Sequence, residues 1–359
     1  MGDRYESIVD EPVRGVIGDM SFLARPGLES MRRAVRGEVS RPPIHHLTGL
    51  TPTEAGLGTM TFTMPVTPWL EDAAGIIWGG VFAFVADAPI SLALYTGLPP
   101  GKLLTTTELS INYLRPATRD SGQLTGRARS VYLGRDVGVA EATVEDRRGR
   151  TMAHATTRCV LMDVPFDPDL ADVPPVTDVE DPPDPYLRDA PEWAWQDLSV
   201  FHGEKVPTMR KFTDGTYPPG PVMLLTGARF LEADVGRAVM SWPASPWFSA
   251  GGPAMYGGAI AWACDTAMTS AVWSSLDADA AAATLDLQVR FLRPVMLDGS
   301  PLTITGEVRH RGRSIRVAQA EVMDANGKRV ALASGSSMVI PGGIEQLAKG
   351  RRADEIVGL

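Results

Sequence analysis

The stretch WGGVFAFVAD, residues 78–87, carries a single charge, Asp87, inside a run that is otherwise apolar. A glycine pair opens the run, and six apolar residues separate the second glycine from the aspartate. A carboxylate buried without a partner costs several kcal/mol, or its pKa shifts until the group is neutral. We therefore expect Asp87 either to be satisfied by the fold or to take part in chemistry.

The same stretch occurs a second time in the chain. YGGAIAWACD, residues 256–265, repeats the glycine pair and the aspartate, and Asp265 lies 178 residues after Asp87. The same offset aligns INYLRP (111–116) with VRFLRP (289–294). Two copies of roughly 115 to 140 residues fit two domain-sized units rather than a solenoid, whose repeats are shorter.

Each copy is predicted to contain one buried helix followed by strands. TMTFTM (59–64) alternates in the period of two that is typical of a half-buried strand. Residues 80–94 are apolar nearly all round, which indicates a buried helix rather than an amphipathic one. Four strand-like runs follow: Leu104–Leu114, Gln123–Tyr132, Asp136–Glu145 and Thr151–Met162. The pattern predicts an α+β fold, with an antiparallel sheet wrapped around a central helix in each copy.

The expected organisation has five parts. An N-terminal extension (1–20) precedes the first domain (21–162), and a linker (163–198) rich in Pro and Asp leads to the second domain (199–340). The remaining residues, 341–359, are predicted to form a C-terminal tail.

Composition excludes several classes of protein. Hydrophobic residues make up 44% and charged residues 21%, which excludes a wholly disordered chain, and no stretch approaches the ~20 apolar residues of a spanning helix. The net charge is −9 without a dense Lys/Arg block, so no nucleic-acid partner is expected. Cys159 and Cys264 lie far apart, which argues against a disulfide framework or a zinc site. The cysteines and the absence of a signal-peptide pattern predict a cytoplasmic protein without a membrane partner.

Three features together resemble a known family. They are G-G-x(6)-D on a helix, a strand that ends in Y/F-L-R-P, and a G-R pair that opens the next strand, at Gly134 and Gly312. This pattern is similar to the hotdog-fold acyl-CoA thioesterases, especially the phenylacetate-degradation (PaaI-like) branch. Because it occurs twice, the chain resembles a tandem, or double hotdog, member over roughly residues 21–162 and 199–340. The resemblance implies an acyl-CoA substrate, no cofactor beyond the CoA of that substrate, and a homodimer of the tandem chain.

The resemblance also implies a mechanism. The backbone amide of the first motif glycine, at a helix N-terminus, would form the oxyanion hole for the thioester carbonyl. The aspartate of the partner helix would act as general base on water or as nucleophile. The Gly79 amide would then serve Asp265, and the Gly257 amide would serve Asp87. This crossing fits the geometry, since eight residues of one helix span ~12 Å and keep an aspartate away from its own helix N-terminus.

Further polar residues are candidates for supporting roles. Ser91 and Thr269 lie one helical turn after the two aspartates, where related thioesterases often carry an assisting hydroxyl. Four arginines at strand ends and turns are candidates for the CoA phosphates, with solvated surface charge as the alternative: Arg115, Arg293, Arg135 and Arg313.

Departures from the family pattern leave alternatives open. Trp78 and Tyr256 stand where the family branch often has His, and Pro89 interrupts the first helix just after Asp87. The Asp265 site is therefore expected to be the stronger of the two. The glycines could instead serve only helix–sheet packing, and the aspartates could be structural. The chain would then be a non-catalytic acyl-thioester binder or a scaffold.

Overall fold

The computed structural model describes residues 5–18, 20–169, 173–175 and 182–348, and its two halves contain the same elements in the same order. The helices of the first half are α1 (Gly27–Val35), α2 (Pro43–Thr48) and α3 (Gly80–Tyr95). Its strands are β1 (Thr51–Gly56), β2 (Thr59–Pro65), β3 (Lys102–Tyr113), β4 (Gln123–Leu133), β5 (Val137–Asp146) and β6 (Thr151–Asp163). The predicted tail beyond residue 348 and parts of the predicted linker lie outside the described residues.

The second half repeats this plan at the offset that the sequence predicts. Its helices are α4 (Lys205–Thr213), α5 (Pro221–Thr226), α6 (Gly257–Ser274) and a further short helix, α7 (Gly343–Ala348). Its strands are β7 (Arg229–Asp234), β8 (Arg237–Pro243), β9 (Ala281–Phe291), β10 (Pro301–Arg311), β11 (Ile315–Met323) and β12 (Arg329–Ile340). The bounds of α1 and α4, of β2 and β8, and of β4 and β10 each differ by 178 residues.

One antiparallel sheet of twelve strands runs through both halves. The strand order is β1-β2-β4-β5-β6-β3-β9-β12-β11-β10-β8-β7, so the sheet of one half continues into that of the other. The junction is the pairing of β3 with β9, in which Leu109 lies opposite Val289 and Ile111 opposite Leu287. These four residues are buried, because alternate positions of both strands face the helices. The predicted fold class, two tandem hotdog domains, is confirmed.

The helices α3 and α6 lie side by side in the core between the two half-sheets. Both are buried along nearly their whole length, as their uniformly apolar sequences predict. Each is packed against its own strands and against the other helix. No helix within the described ranges is long and apolar enough to cross a membrane.

The second glycine of each motif allows the two helices to approach closely. A Cβ atom on Gly80 would lie 2.7 Å from Trp262 Cα, and one on Gly258 would lie 2.9 Å from Phe84 Cα. Any larger residue would therefore push the helices apart. The packing interpretation of the glycines thus holds for the second glycine of each pair.

Segments outside the repeats hold the two halves together from the surface. The indole of Trp69 donates to the carbonyl oxygen of Arg188, and that of Trp247 donates to the carbonyl oxygen of Glu11. The side chains of Arg188 and Glu11 form an ion pair at 2.7 Å. The N-terminal segment and the end of the linker are thereby fixed to matching turns in the two halves.

Candidate active site

The two aspartates meet the opposite helix at its N-terminus. The Gly258 amide donates a hydrogen bond of 2.7 Å to Asp87 Oδ2, and the Gly80 amide lies beside the Asp265 carboxylate and lowers the pKa of that carboxyl. The helices are therefore antiparallel, and each carboxylate lies where backbone amides and the helix dipole favour negative charge.

The first glycine of each motif lies directly against the carboxylate. A Cβ atom on Gly79 would lie 3.0 Å from Asp265 Oδ2, and one on Gly257 would lie 2.9 Å from Asp87 Oδ2. Among the described residues, neither the Gly79 nor the Gly257 amide has a hydrogen-bond partner. Each first glycine therefore provides both space beside the carboxylate and an unused donor.

Burial changes the acidity of both aspartates. Asp265 is 1% and Asp87 is 3% exposed. Burial raises the pKa of each carboxyl to about 7, although the amide of Gly80 or Gly258 acts in the opposite direction. A carboxyl with such a pKa exchanges protons near neutral pH, which suits a general base.

A cavity of about 650 Å³ opens beside the pair of Gly79 and Asp265. Its walls are mostly apolar and come from both halves and the end of the linker. They include Trp78, Phe82, Tyr113, Trp195, Phe201, Phe212, Thr269, Trp273, Ala282, Met338 and Ile344. Trp78 Nε1 is buried there without a hydrogen-bond partner among the described residues. Asp87, Gly257 and Ser91 do not contribute to its walls.

Two segments of the chain, residues 74–153 and 252–331, match the family model of the thioesterase superfamily. Each segment contains one Gly-Gly…Asp motif. The proofreading thioesterase EntH of Klebsiella pneumoniae is 31% identical over 107 residues, which are 30% of this chain and 76% of that protein. The chain belongs to the thioesterase superfamily.

Further comparisons agree with a tandem member of this family. The acyl-coenzyme A thioesterase PaaI of Escherichia coli is 35% identical over 119 residues, which are 33% of this chain and 81% of that protein. The solved structure of the tesB protein of Mycobacterium avium subsp. paratuberculosis covers 88% of this chain and all of its own chain, with a TM-score of 0.51. That structure is only 14% identical and shows the fold alone. The prediction of a tandem, PaaI-like hotdog thioesterase is confirmed.

Tyr113 is a residue of this thioesterase that the motif analysis missed. Its hydroxyl lies next to the Asp265 carboxylate and lowers the pKa of that carboxyl. Burial, and then the charge of Asp265, raise the pKa of Tyr113 well above its usual value. The Tyr113 hydroxyl and Asp265 Oδ1 are both buried, yet neither has a partner in good hydrogen-bonding geometry among the described residues.

The opposite site of the thioesterase has no tyrosine at the position that corresponds to Tyr113. The residue 178 positions after Tyr113 is Phe291, whose ring end would lie 3.5 Å from a Cβ on Gly257. Tyr256, which corresponds to Trp78, is buried and donates its hydroxyl to the carbonyl oxygen of Phe84 at 2.6 Å. The side chains at these two positions therefore pack in the core around Asp87. The difference between Tyr113 and Phe291 is visible in the alignment of YLRP with FLRP, but the motif Y/F-L-R-P treats the two residues as equivalent.

The two predicted assisting hydroxyls each pair with a strand threonine. Ser91 Oγ lies 3.0 Å from Thr106 Oγ1, and Thr269 Oγ1 lies 3.3 Å from Thr284 Oγ1. The Thr106 hydroxyl also lowers the pKa of Asp87. Of the two predicted hydroxyls, only that of Thr269 belongs to the cavity wall.

The four candidate arginines occupy different environments. Arg115 lies on the cavity wall and donates to the carbonyl oxygen of Thr151 at 2.7 Å. Arg293 makes the corresponding bond to the carbonyl oxygen of Arg329 at 3.2 Å. The other two, Arg135 and Arg313, lie in exposed turns and are not part of the cavity wall.

Proposed function

We propose that this thioesterase hydrolyses acyl-CoA at one composite site, built from Gly79 of the first half and Asp265 of the second. The observation that carries the proposal is the cavity that ends at these two residues. There an unused backbone amide lies beside a carboxyl with a pKa of about 7. The resemblance to acyl-CoA thioesterases supports the substrate class.

In the proposed reaction, the thioester carbonyl oxygen accepts a hydrogen bond from the Gly79 amide. Asp265 takes a proton from a water molecule as that water attacks the carbonyl carbon, and the negative charge that develops on the oxygen is stabilised by the amide. The C–S bond then breaks, and the proton held by Asp265 passes to the leaving CoA thiolate. The products are a carboxylic acid and CoA, and Asp265 is ionised again.

Other residues on the wall have supporting roles in this proposal. The Tyr113 hydroxyl orients the Asp265 carboxylate, and the Thr269 hydroxyl, one helical turn away, holds the attacking water. Arg115, at the polar end of the cavity, is the arginine best situated to meet the CoA phosphates. Asp87 does not line this cavity, and we expect its site to contribute little to turnover. The homodimer stays a prediction, which light scattering at micromolar concentration tests.

Release of free CoA, followed with a thiol reagent over a panel of acyl-CoA substrates, tests the proposal. We expect thiol release that is linear in enzyme concentration for at least one class of acyl group. A chain that binds acyl-CoA without releasing thiol would instead support the alternative of a non-catalytic binder.

The activity is expected to depend on pH through Asp265. Only the ionised carboxylate accepts a proton from water, and burial raises the pKa of this group to about 7. The value of kcat/KM should therefore rise about tenfold per pH unit below pH 7 and level off above it. A profile measured from pH 5 to 9 that is flat, or that falls with rising pH, would contradict the role of Asp265 as a base.

Tyr113→Phe is expected to move this profile. The Tyr113 hydroxyl lowers the pKa of Asp265, so its removal should shift the acid limb to higher pH and reduce kcat/KM at pH 7 several-fold. Activity should recover towards pH 9, which a merely structural loss would not do. The reverse change at the matching position, Phe291→Tyr, serves as the control and should leave the profile where it is.

A further inference from the structure

We infer that the cavity beside Asp265 is a chamber for a large, uncharged, apolar acyl group of about eight carbons or more. This inference rests on the proposed hydrolysis at the Asp265 site and adds the substrate class. The volume is about 650 Å³, and an atom group the size of water occupies ~30 Å³, so the space suits about twenty heavy atoms.

A difference between the halves at one strand position creates part of this space. Ala282 of β9 lies two residues before Thr284, whose hydroxyl meets α6, so both side chains face the helix. The matching residue of β3 is Leu104, which packs against the buried cluster of Tyr95, Leu98 and Leu161. In the first half, the Leu104 side chain thus fills a region next to the helix. In the second half, the smaller Ala282 leaves the matching region open.

A second difference between the halves lies at the first residue of α1 and of α4. At Gly27, the first residue of α1, a Cβ atom would overlap the carbonyl oxygen of Tyr95, so α1 touches the end of α3 through its backbone. The matching first residue of α4 is Lys205, which is 3% exposed. Its Nζ donates to the carbonyl oxygens of Phe201 and Ala278 and lies 4.9 Å from the centre of the Trp273 ring. A buried lysine thus stands at the end of α6, at the position where the first half has a glycine in backbone contact with the end of α3.

Aromatic and aliphatic side chains enclose the chamber at its far end. Trp195 comes from the end of the linker, Phe201 from the segment just before α4, and Ile344 from α7, all outside the central helix and sheet. Phe201 packs edge-on against Trp273, with ring centres 5.6 Å apart. Walls that are mostly apolar favour an apolar ligand and give few partners to a polar one.

Two of the charged wall residues, Glu71 and Asp72, are already paired. The carboxylate of Glu71 receives two hydrogen bonds from Arg119, at 2.8 and 2.9 Å. The Asp72 carboxylate accepts from the amides of Ala74 and Ile76. No charged side chain among the described wall residues belongs to β9, β12 or α7. A terminal carboxylate buried among β9, β12 and α7 would find no charged partner on these elements, so we expect dicarboxylic acyl groups to be poor substrates.

The test compares decanoyl-CoA with butanoyl-CoA for the wild type and for Ala282→Leu, which copies the residue of the first half. Each methylene denied burial costs about fourfold. Loss of space for two or three methylenes should lower kcat/KM for decanoyl-CoA ~15- to 60-fold and change that for butanoyl-CoA less than twofold. Ala282→Val should give a smaller loss in the same direction, and Leu104→Ala, at the matching position, should leave the ratio of the two substrates unchanged.

Three results would overturn the inference. One is an equal loss on both substrates, another is an unchanged decanoyl-CoA rate, and the third is a wild type that hydrolyses phenylacetyl-CoA or butanoyl-CoA but not decanoyl-CoA. The last result would leave the proposed hydrolysis intact.

If no acyl-CoA is hydrolysed, the proposed function fails, and calorimetry with the non-hydrolysable thioether S-decyl-CoA still decides the inference. Binding to the wild type that Ala282→Leu weakens at least tenfold supports the chamber, and absence of binding to the wild type refutes it.

Discussion

Asp265→Asn is expected to lower kcat for acyl-CoA hydrolysis by ~10²–10⁴-fold, the range that general-base catalysis supplies, and at the same time to stabilise the fold above pH 7. The amide side chain has nearly the same shape and can still accept a hydrogen bond from the Gly80 amide, but it cannot take a proton from water. Activity is measured as CoA release at pH 8, and stability as the thermal midpoint Tm at several pH values.

The stability gain follows from the direction of the pKa shift. Burial raises the pKa of Asp265 from its ordinary value near 4 to about 7. The folded state therefore binds a proton that the unfolded state has lost, and the stability of the wild type falls as pH rises from about 4 to about 7. Above pH 7 the buried charge costs up to about 4 kcal/mol, a cost that Asn does not carry. The Tm of Asp265→Asn should exceed that of the wild type by several degrees at pH 8 and should approach it near pH 4.

Asp87→Asn is the matched control, because burial raises the pKa of Asp87 to about 7 as well. We expect a similar gain in Tm above pH 7 and a loss of activity of less than about threefold. Equal activity losses in the two variants would show that both carboxylates act in turnover, and the inference of one dominant site would be wrong. An unchanged rate in Asp265→Asn would remove the proposed mechanism altogether.

The sequence predicts much of this arrangement because the repeat makes each half a check on the other. A single Gly-Gly…Asp motif is weak, but its recurrence 178 residues later fixed which helix is central and which strands surround it. The family resemblance implies the crossing of Gly79 with Asp265, and helix length agrees with it, since an aspartate eight residues into a helix cannot reach its own N-terminus. These properties depend on periodicity and spacing, which are visible in one dimension.

The difference between the two sites depends on volume and could not be predicted in this way. Ala282 and Leu104 are both apolar strand residues, and no pattern distinguishes a position that is filled from one that is left open. The role of Lys205 could not be predicted from the sequence either, because its burial against Trp273 depends on how α4 meets the end of α6. Tyr113 lay within the quoted YLRP motif, but its hydroxyl gains meaning only from the neighbouring carboxylate of the other half.

Gly79→Ala is expected to lower kcat/KM by about 10²-fold, even in the Asp87→Asn background where only the Asp265 site is left. Gly79 has φ −55° and ψ −42°, which alanine adopts without strain. The added Cβ, however, would lie 3.0 Å from Asp265 Oδ2 and would displace the carboxylate by a few tenths of an ångström. It would also project beside the amide that the thioester carbonyl must reach. Loss of an oxyanion donor costs ~10²–10³ in rate, and misplacement of a catalytic group has a similar effect.

Gly257→Ala in the same background supplies the control, because the pseudo-symmetry of the chain makes the two changes nearly equivalent as structural perturbations. A Cβ there would lie 2.9 Å from Oδ2 of the native Asp87, and its effect on Tm should match that of Gly79→Ala within a few degrees. Its effect on kcat/KM should be less than about threefold, since this glycine lies outside the cavity wall. If Gly257→Ala were the severe change and Gly79→Ala the silent one, the aspartate of α6 would have to act with a glycine of its own half. Such a result would show that the contact between Gly79 and Asp265 across the two halves is not the pairing that acts in catalysis.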